Sequence, residues 1–102
     1  MAFELPIRPT IEKFARAMEE VLRKYDAARG EDGWKKEDSI YLFRRLGEEM
    51  EELLKASQEA WNCKSSPAVF DRVAKEAVDV ANFCAFIWEK AMEMSLRYKE
   101  GK

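Results

Sequence analysis

Apolar residues recur along this chain at steps of three and four, the spacing that places side chains on one face of a helix. Ile11, Phe14, Met18, Val21, Leu22 and Tyr25 form the first such series. Pro9-Thr10 precedes it, with Thr10 as the expected N-cap, and Gly30 is its expected end. Glu31-Asp32-Gly33-Trp34 reads as a loop. A second helix is expected from Glu37-Asp38, acids suited to the positive end of a helix dipole, to about Trp61. Its apolar residues are Leu42, Phe43, Leu46, Met50, Leu53 and Leu54. Asn62 to Ser66 make the next connection, and Ser66-Pro67 is a strong helix start. The third helix continues to the Arg97–Lys99 region, with Gly101 beyond. No strand competes with these elements.

Between Ala77 and Trp88 the third helix carries only two polar residues, Asp79 and Asn82, so apolar side chains point almost all the way round. Such a helix needs neighbours on most sides, more than two other helices supply. The expected architecture is a single all-α domain over residues 1–102, its antiparallel helices completed into a four-helix bundle by a dimer or tetramer.

Four carboxylates break the amphipathic pattern. With Leu46 at zero on a helical wheel, the apolar arc of the second helix centres at roughly 10–20°. Glu48 and Glu51 fall at roughly 200° and 140°, on solvent positions. Glu49, at about 300°, lies against Leu42 and Ala60 inside the arc, with Glu52 beside it at roughly 240°. On the third helix Glu76 shares the face of Val69, Val80, Phe83 and Ile87, and Asp79 follows one turn later. An unpaired buried carboxylate costs several kcal/mol, and no matching set of inward lysines or arginines is evident in the pattern. A divalent cation supplies the compensation. Residues three apart share a helix face, so Glu49 with Glu52 and Glu76 with Asp79 form two facing jaws. All-oxygen ligation selects Mg²⁺ or Mn²⁺.

Composition narrows the chemistry further. Hydrophobic residues are 47% and charged residues 37% of the 102, and the net charge is −2. That balance describes a folded, soluble chain with no strong field for nucleic acid or an anionic membrane. Without an apolar run of membrane length or a signal-peptide pattern, a cytoplasmic protein is expected. There is no histidine, which excludes Ser-His and Cys-His triads and ordinary His/Cys zinc sites. Ferritin-like di-iron sites need Glu-x-x-His and are excluded too. Cys63 lies in a polar connection and Cys84 in an apolar helix, where a small buried residue is expected; no disulfide framework follows.

Leu46-Gly47-Glu48-Glu49-Met50-Glu51-Glu52-Leu53 followed by Glu76-Ala77-Val78-Asp79-Val80-Ala81-Asn82 resembles the motif of the MazG-like, all-α nucleoside triphosphate pyrophosphohydrolases. The resemblance covers roughly Trp34 to Trp88. It aligns the first acidic pair on Glu49 and Glu52, because Leu53 matches the leucine that follows the second glutamate, and the second pair on Glu76 and Asp79. Glu48 with Glu51 also satisfies the bare spacing. The resemblance implies hydrolysis of an NTP or dNTP to the monophosphate and pyrophosphate, with Mg²⁺ held by the four acids and assembly as homodimers or homotetramers. Glu49 or Glu52 would orient the attacking water.

Further residues are open to two roles. Asn82 matches a family asparagine, which implies contact with the sugar or a metal-bound water; an interhelical hydrogen bond is the alternative. Trp34 is placed to stack on a base or to anchor the start of a helix. Lys35, Lys36, Lys55, Arg72 and Lys75 are candidates for the triphosphate tail, each otherwise a solvated charge. A catalytically silent nucleotide- and metal-binding module, or a purely structural helical oligomer, are the competing functions.

Overall fold

The computed structural model describes residues 5–30, 33–64 and 66–101. Among them the order is α1 (Pro9–Arg29), a short 3₁₀ turn (Gly33–Lys36), α2 (Ser39–Cys63) and α3 (Pro67–Gly101), with no strand. None of these helices is long and apolar enough to cross a membrane.

Local chemistry accounts for most helix ends. Pro9 occupies the first turn of α1, where its missing N–H costs nothing. Arg8, not Thr10, is the N-cap, and its carbonyl accepts from the Ile11 and Glu12 N–H groups at 3.0 and 3.1 Å. The proline signal thus overrides the threonine beside it. Gly30 closes α1 with φ 90° and ψ 152°, a conformation open to glycine and strained for other residues, and its N–H donates to the Asp26 carbonyl at 2.7 Å. Asp38 caps α2, its side chain accepting from the Tyr41 N–H at 2.7 Å. Lys64 ends that helix in the left-handed region. The expected Gly33-Trp34 loop is instead a turn of 3₁₀ helix with Trp34 buried; Glu31 and Asp32, the rest of that expected loop, lie outside the described residues.

Helices α2 and α3 form an antiparallel hairpin. Trp61 meets Phe70 edge-to-face at 5.1 Å beside the turn. At the far end Ser39, Leu42 and Phe43 share a pocket with Ile87, Ala91 and Met94. Helix α1 lies along α3 in the parallel sense, with Ile11, Phe14 and Ala17 opposite Ala74, Ala77 and Val78. The core is small: Trp34, Leu42 and Phe86 are buried, and Leu22, Tyr41, Phe83 and Ile87 pack on them. Helix α1 has no fully buried residue. At 1.5 Å per residue the 35 residues of α3 span about 52 Å, close to the longest dimension of 55 Å.

The wide apolar arc of α2 is divided between two faces. Leu42, Ala56 and Ala60 are buried, whereas Phe43, Met50, Leu54 and Trp61 are each more than half exposed. These four share one stripe, since steps of seven, eleven and eighteen residues return to nearly the same angle. The buried face therefore centres close to Glu49, roughly 60–80° from the centre of the apolar arc. Cys84 is exposed, contrary to expectation, as is Trp88. Three helices leave one side of α3 uncovered.

Candidate metal centre

The hairpin brings the middle of α2 against the first half of α3. One carboxylate oxygen from each of Glu49, Glu76 and Asp79 falls within 4.8 Å of the others. Glu76 and Asp79 are one turn apart on α3, and Glu49 faces them from α2. Glu48 and Glu51 point outward and are exposed. Glu52, aligned with this set by its spacing, stands outside the three-residue cluster. It is half-buried and 3.8 Å from Arg72, which also lies 3.6 Å from Glu59.

The acids do not share one environment. Glu76 is nine-tenths buried and has no hydrogen bond or ion pair among the described residues. Asp79 accepts from the Lys75 ammonium at 2.8 Å. Glu49 accepts from the Arg45 guanidinium at 3.0 Å, and the same guanidinium donates to Glu48. Basic partners are therefore present, contrary to the expectation of none. They were hidden because Arg45 and Lys75 reach along their own helices to acids four residues on, from positions the wheel assigns to the rim.

These contacts perturb the bases. The hydrogen bond to Asp79 raises the Lys75 pKa; burial opposes it, and the charges of Asp79, Glu76 and Glu49 reinforce it. Lys75 thus senses all three members of the cluster. For Arg45, burial lowers the pKa, but the hydrogen bond to Glu48 and the charges of Glu49 and Glu48 leave it raised. Formally, three negative groups face two positive ones.

The donor set fits a hard cation. It is all oxygen, drawn from two helices, and includes a buried carboxylate with no hydrogen bond or ion pair among the described residues. Glu49, Glu76 and Asp79 would hold Mg²⁺ or Mn²⁺, leaving positions for water and ligand oxygens.

A cavity of about 240 Å³ adjoins the cluster and shares Glu49 and Asp79 with it. Its walls include Tyr25, Tyr41, Phe83 and Phe86, with Arg29 and Arg45 at polar positions. Asn82 also lines it. The Asn82 Nδ2 donates to the Met18 carbonyl of α1 at 3.4 Å, so the interhelical bond exists. Its Oδ1 is buried without a partner among the described residues, leaving an acceptor for a ligand N–H or O–H.

Other expected contributors lie elsewhere. Trp34 stacks on Phe86 with centroids 4.5 Å apart and planes 10° from parallel, so it anchors packing and does not line the cavity. Lys35 lies 4.0 Å from Glu89, about 15 Å beyond Asp79 along α3. Lys36 and Lys55 are exposed. Arg72 and Lys75 are engaged by acids, as described. The sequence reading missed Tyr25, Arg29, Tyr41 and Arg45. Tyr41, Arg45 and Glu49 form one row at four-residue steps, a signal that was available. Nothing in the pattern of α1 marks Tyr25 or Arg29, which arrive through tertiary packing. Comparison with protein families, curated proteins and solved structures finds no match to this chain.

Proposed function

We propose that the chain is a Mg²⁺-dependent nucleoside triphosphate pyrophosphohydrolase of the MazG-like type, cleaving an NTP or dNTP to the monophosphate and pyrophosphate. One observation carries this reading: a buried Glu76, without a hydrogen bond or ion pair among the described residues, meets Glu49 and Asp79 beside an aromatic-walled cavity.

The residues divide the work between the two ends of such a substrate. Tyr25, Tyr41 and Phe83 offer flat apolar surface to a base, and the Asn82 Oδ1 accepts from a donor on base or sugar. Arg29 and Arg45 border the cavity, and Lys75 stands beside Asp79, so phosphates lying over the carboxylates meet positive charge. Glu49 or the more exposed Glu52 orients the attacking water. A divalent ion bound there supplies charge neutralisation at the phosphoryl group and acidifies water.

One arrangement favours a purely structural role instead. Glu49, Glu52 and Asp79 each have a basic partner, and such pairs hold helices without any ion. That account leaves Glu76 unexplained. Release of pyrophosphate from a panel of NTPs and dNTPs, with and without Mg²⁺, decides the matter. The expected result is turnover dependent on Mg²⁺. Nucleotide-dependent thermal stabilisation without turnover would point to a silent binding module. No response to either ligand would leave only the structural role.

Assembly into a homodimer or homotetramer belongs to the same proposal. The exposed stripe Phe43, Met50, Leu54 and Trp61 runs nearly the length of α2, a face that a fourth helix from another chain would cover. Sedimentation equilibrium is expected to give two or four chains, and Met50→Glu, in the middle of the stripe, to shift the protein toward monomer. A wild-type monomer at micromolar concentration would refute the assembly.

A further inference from the structure

We propose that Lys75 is an exchangeable counter-ion, standing in for a divalent cation in the metal-free chain and released from Asp79 when one binds. The inference rests on reading Glu49, Glu76 and Asp79 as a metal centre.

Charge and exposure lead to it. Three carboxylates face two basic groups, leaving the cluster one positive charge short. Exchange of the single charge of Lys75 for a divalent ion balances it, with Arg45 retained. The unpartnered Glu76 is the group that gains most, since neither base bonds to it.

The two bases are not equally replaceable. The Arg45 guanidinium is shared by Glu48 and Glu49 and lies 5.2 Å from the centre of the Phe83 ring. Loss of Glu49 would leave it two anchors. Among the described residues Lys75 bonds to Asp79 alone, and its side chain is 66% exposed against 19% for Asp79. It reaches in from solvent on a flexible stem. An ion pair held from the exposed side is weak, so giving it up costs little. The geometry makes Lys75 the leaving cation, and Arg45 stays.

Two measurements on the full chain test the exchange. Mn²⁺ titration by calorimetry is expected to show Lys75→Met binding the ion roughly two- to fivefold more tightly than wild type, the equivalent of one exposed ion pair removed. Acetylation of the Lys75 amine in the wild type, followed by peptide mass spectrometry, is expected to quicken on adding Mn²⁺, while exposed Lys64 and Lys99 keep their rates. Unchanged or weaker Mn²⁺ affinity in the variant, or labelling of Lys75 unmoved by Mn²⁺, overturns the exchange while leaving the metal centre standing. Mn²⁺ bound by neither protein overturns the metal centre and the exchange with it.

Discussion

Glu76→Gln is expected to abolish Mg²⁺-dependent pyrophosphate release while stabilising the metal-free protein. Both effects come from the same burial. Glu76 is nine-tenths enclosed, lacks a partner among the described residues, and sits beside two other carboxylates. In the absence of an ion it carries a desolvation cost and like-charge repulsion that no hydrogen bond offsets. Glutamine keeps the shape and removes the charge, so stability without metal should rise. Each kcal/mol moves the thermal midpoint of a domain this size by about 4–8 °C. The same change removes a charged ligand oxygen, and turnover should fall on the order of 10³-fold. Mg²⁺ should then raise the midpoint of the wild type but not of the variant. Glu48→Gln is the control, since Glu48 is exposed and, among the described residues, bonded to Arg45 alone; its activity should stay within about twofold, as expected of a surface ion pair. An active Glu76→Gln variant would remove Glu76 from the centre. A dead Glu48 variant would transfer the motif to Glu48 and Glu51.

Phe86→Ala is expected to be the most damaging single truncation for stability. Phe86 is 6% exposed, stacks on Trp34 at 4.5 Å, and meets Phe83 edge-to-face at 5.6 Å. With Leu42 these rings form the core that joins the 3₁₀ turn, α2 and α3. Truncating a buried phenylalanine costs about 3–5 kcal/mol, the lost transfer energy plus the cavity left behind. A domain of this size has about 5–15 kcal/mol in total. So few residues are fully buried that little packing remains to close the hole. Urea unfolding followed by far-UV circular dichroism should show a midpoint lowered by roughly a fifth or more. A loss under about 1 kcal/mol would mean that this cluster is not what holds the hairpin together.

Much of the centre was legible because helical phase is a local property. A rotation of about 100° per residue already separates Glu49 from Glu48, and the structure leaves 14% of the first side chain exposed against 55% of the second. Glu76 and Asp79 were legible for the same reason, as acids embedded in an apolar stretch. What escaped depended on reach and on neighbours. Arg45 and Lys75 look like rim residues by angle, yet their long side chains return to the cluster. Trp34 sits in a four-residue 3₁₀ turn, too short to leave a periodic trace, and was read as loop. Tyr25 and Arg29 line the cavity only because α1 lies parallel to α3.

The sequence alone determined where the helices begin and end, to within about two residues at most ends, and the inward phase of Glu49, Glu76 and Asp79, though not that Glu52 stays outside their cluster. Prolines, glycines, a capping aspartate and a 3.6-residue period act within a few residues of themselves, so no distant contact is needed to read them. Tertiary structure decided which half of the α2 arc is buried. Leu42, Ala56 and Ala60 face the hairpin seam, while the equally apolar Phe43, Met50 and Leu54 stay in solvent. Hydrophobicity is non-directional: it states that a surface should be covered and leaves the choice of cover to the packing of whole helices. That packing centres the buried face near Glu49, and so brings it to Glu76 and Asp79 with Glu52 left at the edge.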